Sequence, residues 1–172
     1  MEWEERFAAL ERRVAALEEQ PRRTPPPPAS TAEVFWALEG LKERLTGAGA
    51  AADGGGVLFT GSVRLRDDER YEWQYGALTG ELLEADWTET ADAFAALGNA
   101  VRLRLLHEVV GGRDTAAALA ELEDLGTTGQ IYHHLRQLTG AGWLRTAGRG
   151  RYQVPPRRMV PLLVMLTAAR PE

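Results

Sequence analysis

Between residues 115 and 154 the chain is punctuated so closely that few folds can accommodate it. Thr115 can start a short helix holding Leu119 and Leu122, closed by Leu125-Gly126. Thr127-Thr128-Gly129-Gln130 is a capping box, in which hydroxyl and amide side chains each satisfy a backbone N–H of the other residue. The helix it opens should run to about Thr139, where Gly140-Ala141-Gly142 stops it. Trp143–Ala147 and Arg151–Val154 alternate like strands on either side of Gly148-Arg149-Gly150, which can supply the positive backbone angles of a tight hairpin. Two short helices joined by a tight glycine-containing turn describe a helix-turn-helix, and a basic hairpin behind it makes a winged helix.

The flanking segments agree. Phe94 and Leu97 lie on an apolar helical face that stops at Gly98. Asn99 can cap the next helix, which carries Leu103, Leu105, Leu106, Val109 and Val110 and ends at Gly111-Gly112. Beyond Pro155-Pro156 a last helix holds Met159, Val160, Leu162, Leu163, Val164 and Leu166. Apolar residues on nearly all its sides predict burial, partly in its own core and partly against a second subunit through Leu162, Leu163 and Leu166.

Charge is divided along the chain. Residues 127–172 carry seven arginines (136, 145, 149, 151, 157, 158 and 170) and one acid, Glu172, hence +6; the whole chain is −5, so residues 1–126 carry −11. A basic block holding a helix and a hairpin points to a polyanion, most simply nucleic acid. The overall acidity argues against indiscriminate coating and for a site-specific binder. On a helical wheel Ile131, Leu135 and Leu138 form the buried stripe of the second helix. The N-terminal turns of such a helix reach base edges, so Thr128, Gln130, Tyr132 and His133 are the expected base readers. Gln130 could pair bidentately with adenine, worth about 1–3 kcal/mol of discrimination. Gly129 would let the backbone approach closely. Thr127, which is first a helix cap, and Arg136 suit phosphates; Arg145, Arg149 and Arg151 of the hairpin suit backbone or minor groove. Arg157 and Arg158 fit either a solvated or a structural role. His133-His134 does not read as a metal pair, because adjacent helical residues point about 100° apart and no third ligand lies nearby; His134 reads as a packing residue.

Phe94-x-x-Leu97-Gly98-Asn99-x-x-Arg102-Leu103-x-Leu105-Leu106, followed by His133-His134-Leu135-x-x-Leu138-x-x-Ala141-Gly142, resembles the ArsR-type winged-helix transcriptional regulators over about residues 88–169. The resemblance implies a homodimer built from the first and last helices of the domain, binding palindromic operators and usually repressing. Metal-sensing members use cysteines near the third helix, or histidines and acids on the terminal helix. This chain has no cysteine, and Met159–Arg170 has no histidine or carboxylate, so no metal is expected. Residues 1–87 match nothing in the family pattern.

Those residues carry their own signals. Trp3, Phe7, Leu10, Val14 and Leu17 recur at alternating spacings of four and three, the seam of a coiled coil. With Phe7 and Val14 at a, parallel packing would pair Arg6 with Glu11 and Arg13 with Glu18 of a partner. The alternative is an amphipathic helix folded back on its own chain. Pro21 ends this helix, and Pro25–Pro28 make a stiff spacer. Ser30-Thr31-Ala32-Glu33 is a second capping box, opening a helix with Val34, Leu38, Leu41 and Leu45 on one stripe. Gly47–Gly56 reads as a flexible joint. In residues 57–65, Val57, Phe59, Val63 and Leu65 face one way; after a polar turn, Tyr71, Trp73 and Tyr75 alternate with Glu72 and Gln74. This predicts an antiparallel hairpin whose aromatic face must cover something, since two strands alone are barely stable. The expected cover is the 32–45 helix or a partner subunit; the alternative is a small-molecule pocket lined by Phe59, Trp73 and Tyr75.

The absence of cysteine excludes disulfides, thiolate metal sites and cysteine nucleophiles. There is no glycine-rich phosphate loop and no serine–histidine pairing, and only His107, His133 and His134 are available, so neither an enzyme nor a cofactor is expected. Asp67-Asp68-Glu69 reads as a solvated turn. Met1-Glu2-Trp3-Glu4-Glu5 is acidic where a signal peptide would be basic. The apolar run Met159–Leu166 is far short of the roughly 20 residues of a membrane span, so a cytoplasmic protein is expected.

The whole reads as a mainly α chain with small β elements (α+β). Its expected parts are a coiled-coil helix at 1–20, a proline-rich linker at 21–31, a helix plus hairpin for interaction or dimerisation at 32–87, and a winged helix-turn-helix at 88–172. The function expected is that of a homodimeric, sequence-specific regulator of double-stranded DNA, with a tetramer left open. The alternative is a winged-helix scaffold that docks another protein, or a small apolar effector, through its hairpin and coiled coil.

Overall fold

The structure, a computed structural model, describes residues 3, 6, 7, 35–49, 54–66, 69–123 and 125–171. It is mixed α/β. From residue 35 onward the described residues hold seven α-helices and two antiparallel strand pairs. Helix α1 (Trp36–Ala48) precedes the hairpin β1 (Gly56–Arg64) and β2 (Arg70–Leu78). Then come α2 (Thr79–Glu84), a single 3-10 turn (Trp87–Thr90), α3 (Ala91–Leu97), α4 (Ala100–Val110), α5 (Ala116–Ala120) and α6 (Thr128–Gly140). The short pair β3 (Arg145–Thr146) and β4 (Tyr152–Gln153) and helix α7 (Pro156–Ala168) complete the chain.

Residues 1–40 and 41–172 form two compact units, so their boundary falls inside α1. The hairpin lies in the second unit with the helices that follow it. In the first unit Trp3 and Phe7 are helical and exposed, with the Arg6 guanidinium 5.8 Å above the Trp3 ring. The remaining seam residues, Leu10, Val14 and Leu17, lie outside the described residues, as do the proline spacer and the Ser30–Glu33 box.

Caps and breaks fall where local chemistry places them. The Asn99 side chain accepts from Arg102 N–H, and the Thr115 hydroxyl from Ala118 N–H. The core is the meeting of four apolar stripes: Leu105, Leu106 and Val109 of α4, Leu119 of α5, Ile131, Leu135 and Leu138 of α6, and Met159 and Leu162 of α7. Trp143 and Leu144 also lie in it, although the alternating pattern had assigned them to a strand. Buried apolar side chains leave no room for a solvent face there, and the Trp143 indole N–H donates to Ala93 O at 2.9 Å. Leu162 is 1% exposed. It belongs to this core and cannot form the subunit contact expected of it.

The hairpin packs on α7, and its first residue, Gly56, also lies against Leu45 of α1. Its register pairs Phe59 with Tyr75, Gly61 with Trp73 and Val63 with Tyr71, so all six lie on one face. Gly61 sits directly over the terminal helix: a Cβ there would stand 2.6 Å from Val160 Cγ1, closer than any side chain allows. The hairpin thus buries Val160, a residue on the side of α7 that the helical core leaves open. Toward the other end the aromatic face is barer. Phe59 and Tyr75 rings lie 5.9 Å apart, and Trp73 and Tyr75 are exposed.

Candidate nucleic-acid interface

Helix α6 shows how the candidate interface is built. Ile131, Leu135 and Leu138 are fully buried, and fix the helix on α4 and α5. The opposite face is open: Thr128, Gly129, Gln130, Tyr132, His133, Arg136 and Gln137 are all exposed. At its start the Thr127 hydroxyl accepts from Gln130 N–H at 3.4 Å, and Gln130 Oε1 accepts from Thr127 N–H at 2.8 Å and from its hydroxyl at 3.2 Å. This is the capping box the sequence implied, with a consequence for the expected base readers. Bidentate pairing with adenine needs both amide atoms, and the Gln130 oxygen is already engaged. Gln130 is a cap here, and Thr128, Tyr132, His133 and Arg136 are the outward groups that no such bond restrains.

The far end of the outward face is held from behind. Arg102 donates from Nε to Ala96 O (2.6 Å) and from Nη2 to Ala95 O (2.7 Å), at the carbonyl-rich end of α3. Its Nη1 donates to Gln137 Oε1 at 2.6 Å. His134, on the flank of α6, is half-buried, and its Nδ1 is buried without a hydrogen-bond partner. Burial, and then the charges of Arg102 and His133, lower its pKa from the usual value, while a hydrogen bond with Gln137 acts in the other direction. This is the packing histidine expected. The His133 and His134 rings meet edge to face with centroids 5.8 Å apart.

The strand pair after α6 divides its arginines among different tasks. Arg149 sits at the tip with φ +49°, between Gly148 at +80° and Gly150 at +72°; it is exposed and has no ion pair among the described residues. A non-glycine residue in this region is strained unless the neighbouring turn compels it, as two flanking glycines do here. Arg151 is different. Its Nε and Nη2 both reach Asp114 Oδ2 at 2.9 Å, while Tyr152 N–H donates to Asp114 O at 2.7 Å and Ala116 N–H to Gly150 O at 3.0 Å. Arg151 therefore anchors the strand pair to the loop before α5, while its side chain stays 57% exposed. The Arg145 guanidinium donates to the cross-strand Gln153 amide, with the amide oxygen turned toward it. Arg158 lies 4.8 Å above the Trp143 ring, which settles it as a packing residue.

Two anchoring residues, Arg102 and Asp114, were not singled out for these roles from sequence. Their partners are 35 and 37 residues away, and no local pattern announces them.

A second surface adjoins α3. Phe94 and Leu166 are 61% and 41% exposed, and with Leu97, Leu103 and Met165 they line an apolar groove of about 450 Å³. Leu163 is half-buried. No described helix is long and apolar enough to cross a membrane. No protein-family model, no curated protein and no solved structure matches the chain.

Proposed function

We propose that the chain is a winged helix-turn-helix regulator of the ArsR-type kind its sequence resembles, reading double-stranded DNA as a homodimer. The observation that carries this is α6: a helix seated on three fully buried leucine and isoleucine side chains, with an outward face of Thr128, Tyr132, His133 and Arg136. It lies in a segment with seven arginines and one acid. Base edges are read by Thr128, Tyr132 and His133, phosphates by Thr127, Arg136 and Arg149, and Arg145 and Arg151 shape the wing. Two such helices related by a twofold axis enter successive major grooves roughly 34 Å apart. The groove of Phe94, Leu97, Leu103, Met165 and Leu166 is the subunit contact, and repression from a palindromic operator is the expected outcome.

Selection of bound genomic fragments by the purified protein tests this, followed by titration over salt. Each Arg–phosphate contact releases counterions, so Arg136→Ala, which removes one contact in each subunit of the dimer, flattens the slope of log affinity against log salt by about 1.8. His133→Ala relaxes preference at one base position by about 1–3 kcal/mol. Selection of no common palindromic site, or an unchanged salt slope in the Arg136 variant, defeats the proposal.

One observation favours a second reading, a protein-docking module. Residues 71–101 contain six acids and no lysine or arginine. Within them Leu83 and Trp87 are 69% and 67% exposed, and Trp87 is fixed by its indole N–H donating to Leu82 O at 2.6 Å. A displayed tryptophan with an acidic surround suits a basic, apolar-pocketed partner. Arg136→Ala combined with Arg149→Ala separates the readings: it lowers DNA affinity under the first and alters nothing under the second.

A further inference from the structure

The β1–β2 hairpin leaves one row of hydrogen-bonding groups open. The bonds from Thr79 N–H to Gly55 O and from Leu65 N–H to Glu69 O bracket its register at either end. Antiparallel ladders bond at every second pair, so Val57, Phe59, Gly61 and Val63 turn their backbone groups toward β2. Leu58, Thr60 and Ser62 turn theirs to the outer side of β1, where no strand pairs with them among the described residues. Helix α7 contacts both strands and so lies over the face, leaving the edge clear; Thr60 and Ser62 are exposed. Sheet edges are ordinarily guarded by charge or proline. The outer edge of β2 has Arg70 and Glu72, whereas residues 56–63 of β1 include no charged residue and no proline. The face beside this edge is incompletely covered too, with Val57 and Tyr75 each 57% exposed.

We propose that this edge pairs with the same edge of a second copy, antiparallel about a twofold axis at Thr60, giving a four-stranded sheet in the order β2–β1–β1–β2. Thr60 is the midpoint of β1 (Gly56–Arg64), so this register pairs the strand along its whole length. Thr60 then faces Thr60, Val57 faces Val63 of the second copy, and Phe59 lies beside its Gly61. A hydroxyl pair, an apolar pair and a ring against bare backbone are all favourable cross-strand neighbours. This matching of residues about Thr60 favours a second copy over an unrelated strand. Two strands alone are barely stable, and four with a shared apolar face are not so limited. The contact shares no residue with the groove of Phe94 and Leu166 and uses no residue assigned to DNA. It therefore stands or falls apart from the function proposed above; where both contacts form, groove dimers are joined into larger assemblies.

Because the chain has no cysteine, single substitutions in the full chain report the pairing directly. Thr60→Cys would face its own counterpart with Cα atoms about 5.5 Å apart, within the span of a disulfide or a short bis-maleimide. Ser62→Cys, also exposed, would stand roughly 13 Å from its counterpart along the strands. A held pair presents an effective concentration on the order of millimolar, so at micromolar protein Thr60→Cys should cross-link about a hundredfold faster than Ser62→Cys. Thr60→Lys sets like charges face to face and should sediment as a smaller species than wild type at the same concentration. The proposal is overturned if Thr60→Cys cross-links no faster than Ser62→Cys, whatever segment then occupies the edge, or if a folded Thr60→Lys protein sediments like wild type. The cross-linking comparison decides alone if the lysine variant does not fold, and neither measurement includes DNA.

Discussion

Arg102 and Gln137 are joined across 35 residues by a 2.6 Å bond from guanidinium Nη1 to amide Oε1, while the same guanidinium holds the last carbonyls of α3. One side chain thereby fixes two helices: the one that carries Phe94 and the one that carries the candidate base readers. The bonds are charge-assisted; the one to Ala96 O is part-buried, and those to Ala95 O and Gln137 are exposed.

Replacing Arg102 by alanine should therefore destabilise the fold by about 2–3 kcal/mol, since two helix-end carbonyls and one amide lose their donor. Gln137→Ala should cost less, about 1 kcal/mol. Because the two share a bond, the double variant should cost less than the sum. Urea unfolding of the three variants checks this; strict additivity would mean that the bond contributes nothing.

Asp114 offers a prediction in which electrostatics and anchoring have opposite signs. On the proposed DNA-binding reading, taking an acid away from a basic surface should strengthen binding by simple Coulomb attraction. If the Asp114 side chain instead holds the β3–β4 pair through Arg151, Asp114→Asn should weaken binding, while the bond from Tyr152 N–H to the Asp114 main-chain carbonyl survives the change. The pair is partly exposed, so the effect is modest, about 0.5–1 kcal/mol. Anisotropy titrations of wild type and Asp114→Asn on one operator read the sign directly, and tighter binding by the variant would refute the anchoring role.

The features legible in the sequence are those made by near neighbours. Asn99, Thr115 and Thr127 cap helices because their side chains reach backbone two or three residues on, and Ile131, Leu135 and Leu138 share a face because of helical period alone. What the sequence concealed depends on packing between distant segments. Alternation in residues 57–75 showed that the hairpin has one apolar face, but not that Gly61 would let it settle on Val160. Leu162 and Leu166 look alike on a helix that is apolar nearly all round, and only the assembled core separates them. Trp143 looked like a strand residue because alternation was the sole local signal; its bond to Ala93 O, 50 residues away, was invisible. The same holds for the β3–β4 pair: its arginines were evident, but not that Arg151 would pair with Asp114.

Leu162 and Leu166 accordingly predict different failures. Leu162 is 1% exposed, and Leu162→Ala should cost about 2–5 kcal/mol of folding stability. Leu166→Glu should leave the monomer fold nearly as stable, but should place a charge in the apolar groove and split the homodimer proposed above. Sedimentation and thermal melting measured side by side distinguish them. A Leu166→Glu protein that sediments like wild type would remove the groove as the subunit contact.

His134 gives the protein a stability that depends on pH in a defined direction. Its Nδ1 is buried without a partner, and burial together with the charges of Arg102 and His133 lowers its pKa below the usual 6.5. Well above 6.5 the imidazole is neutral whether the chain is folded or not, so it contributes no pH dependence there. As pH falls through 6.5 the unfolded chain takes up the proton first, and folding stability declines. The decline continues until pH passes the lowered native value, after which both states are protonated and the loss is complete. Carboxylates titrate lower, so the histidine contribution is isolated by comparison with His134→Leu. Urea unfolding at pH 7.5 and near pH 5.5 should show wild type losing more stability than the variant over that interval. Equal losses would mean that the imidazole is hydrated in the folded protein, and that Arg102 and Gln137 do not close that flank of α6 against water.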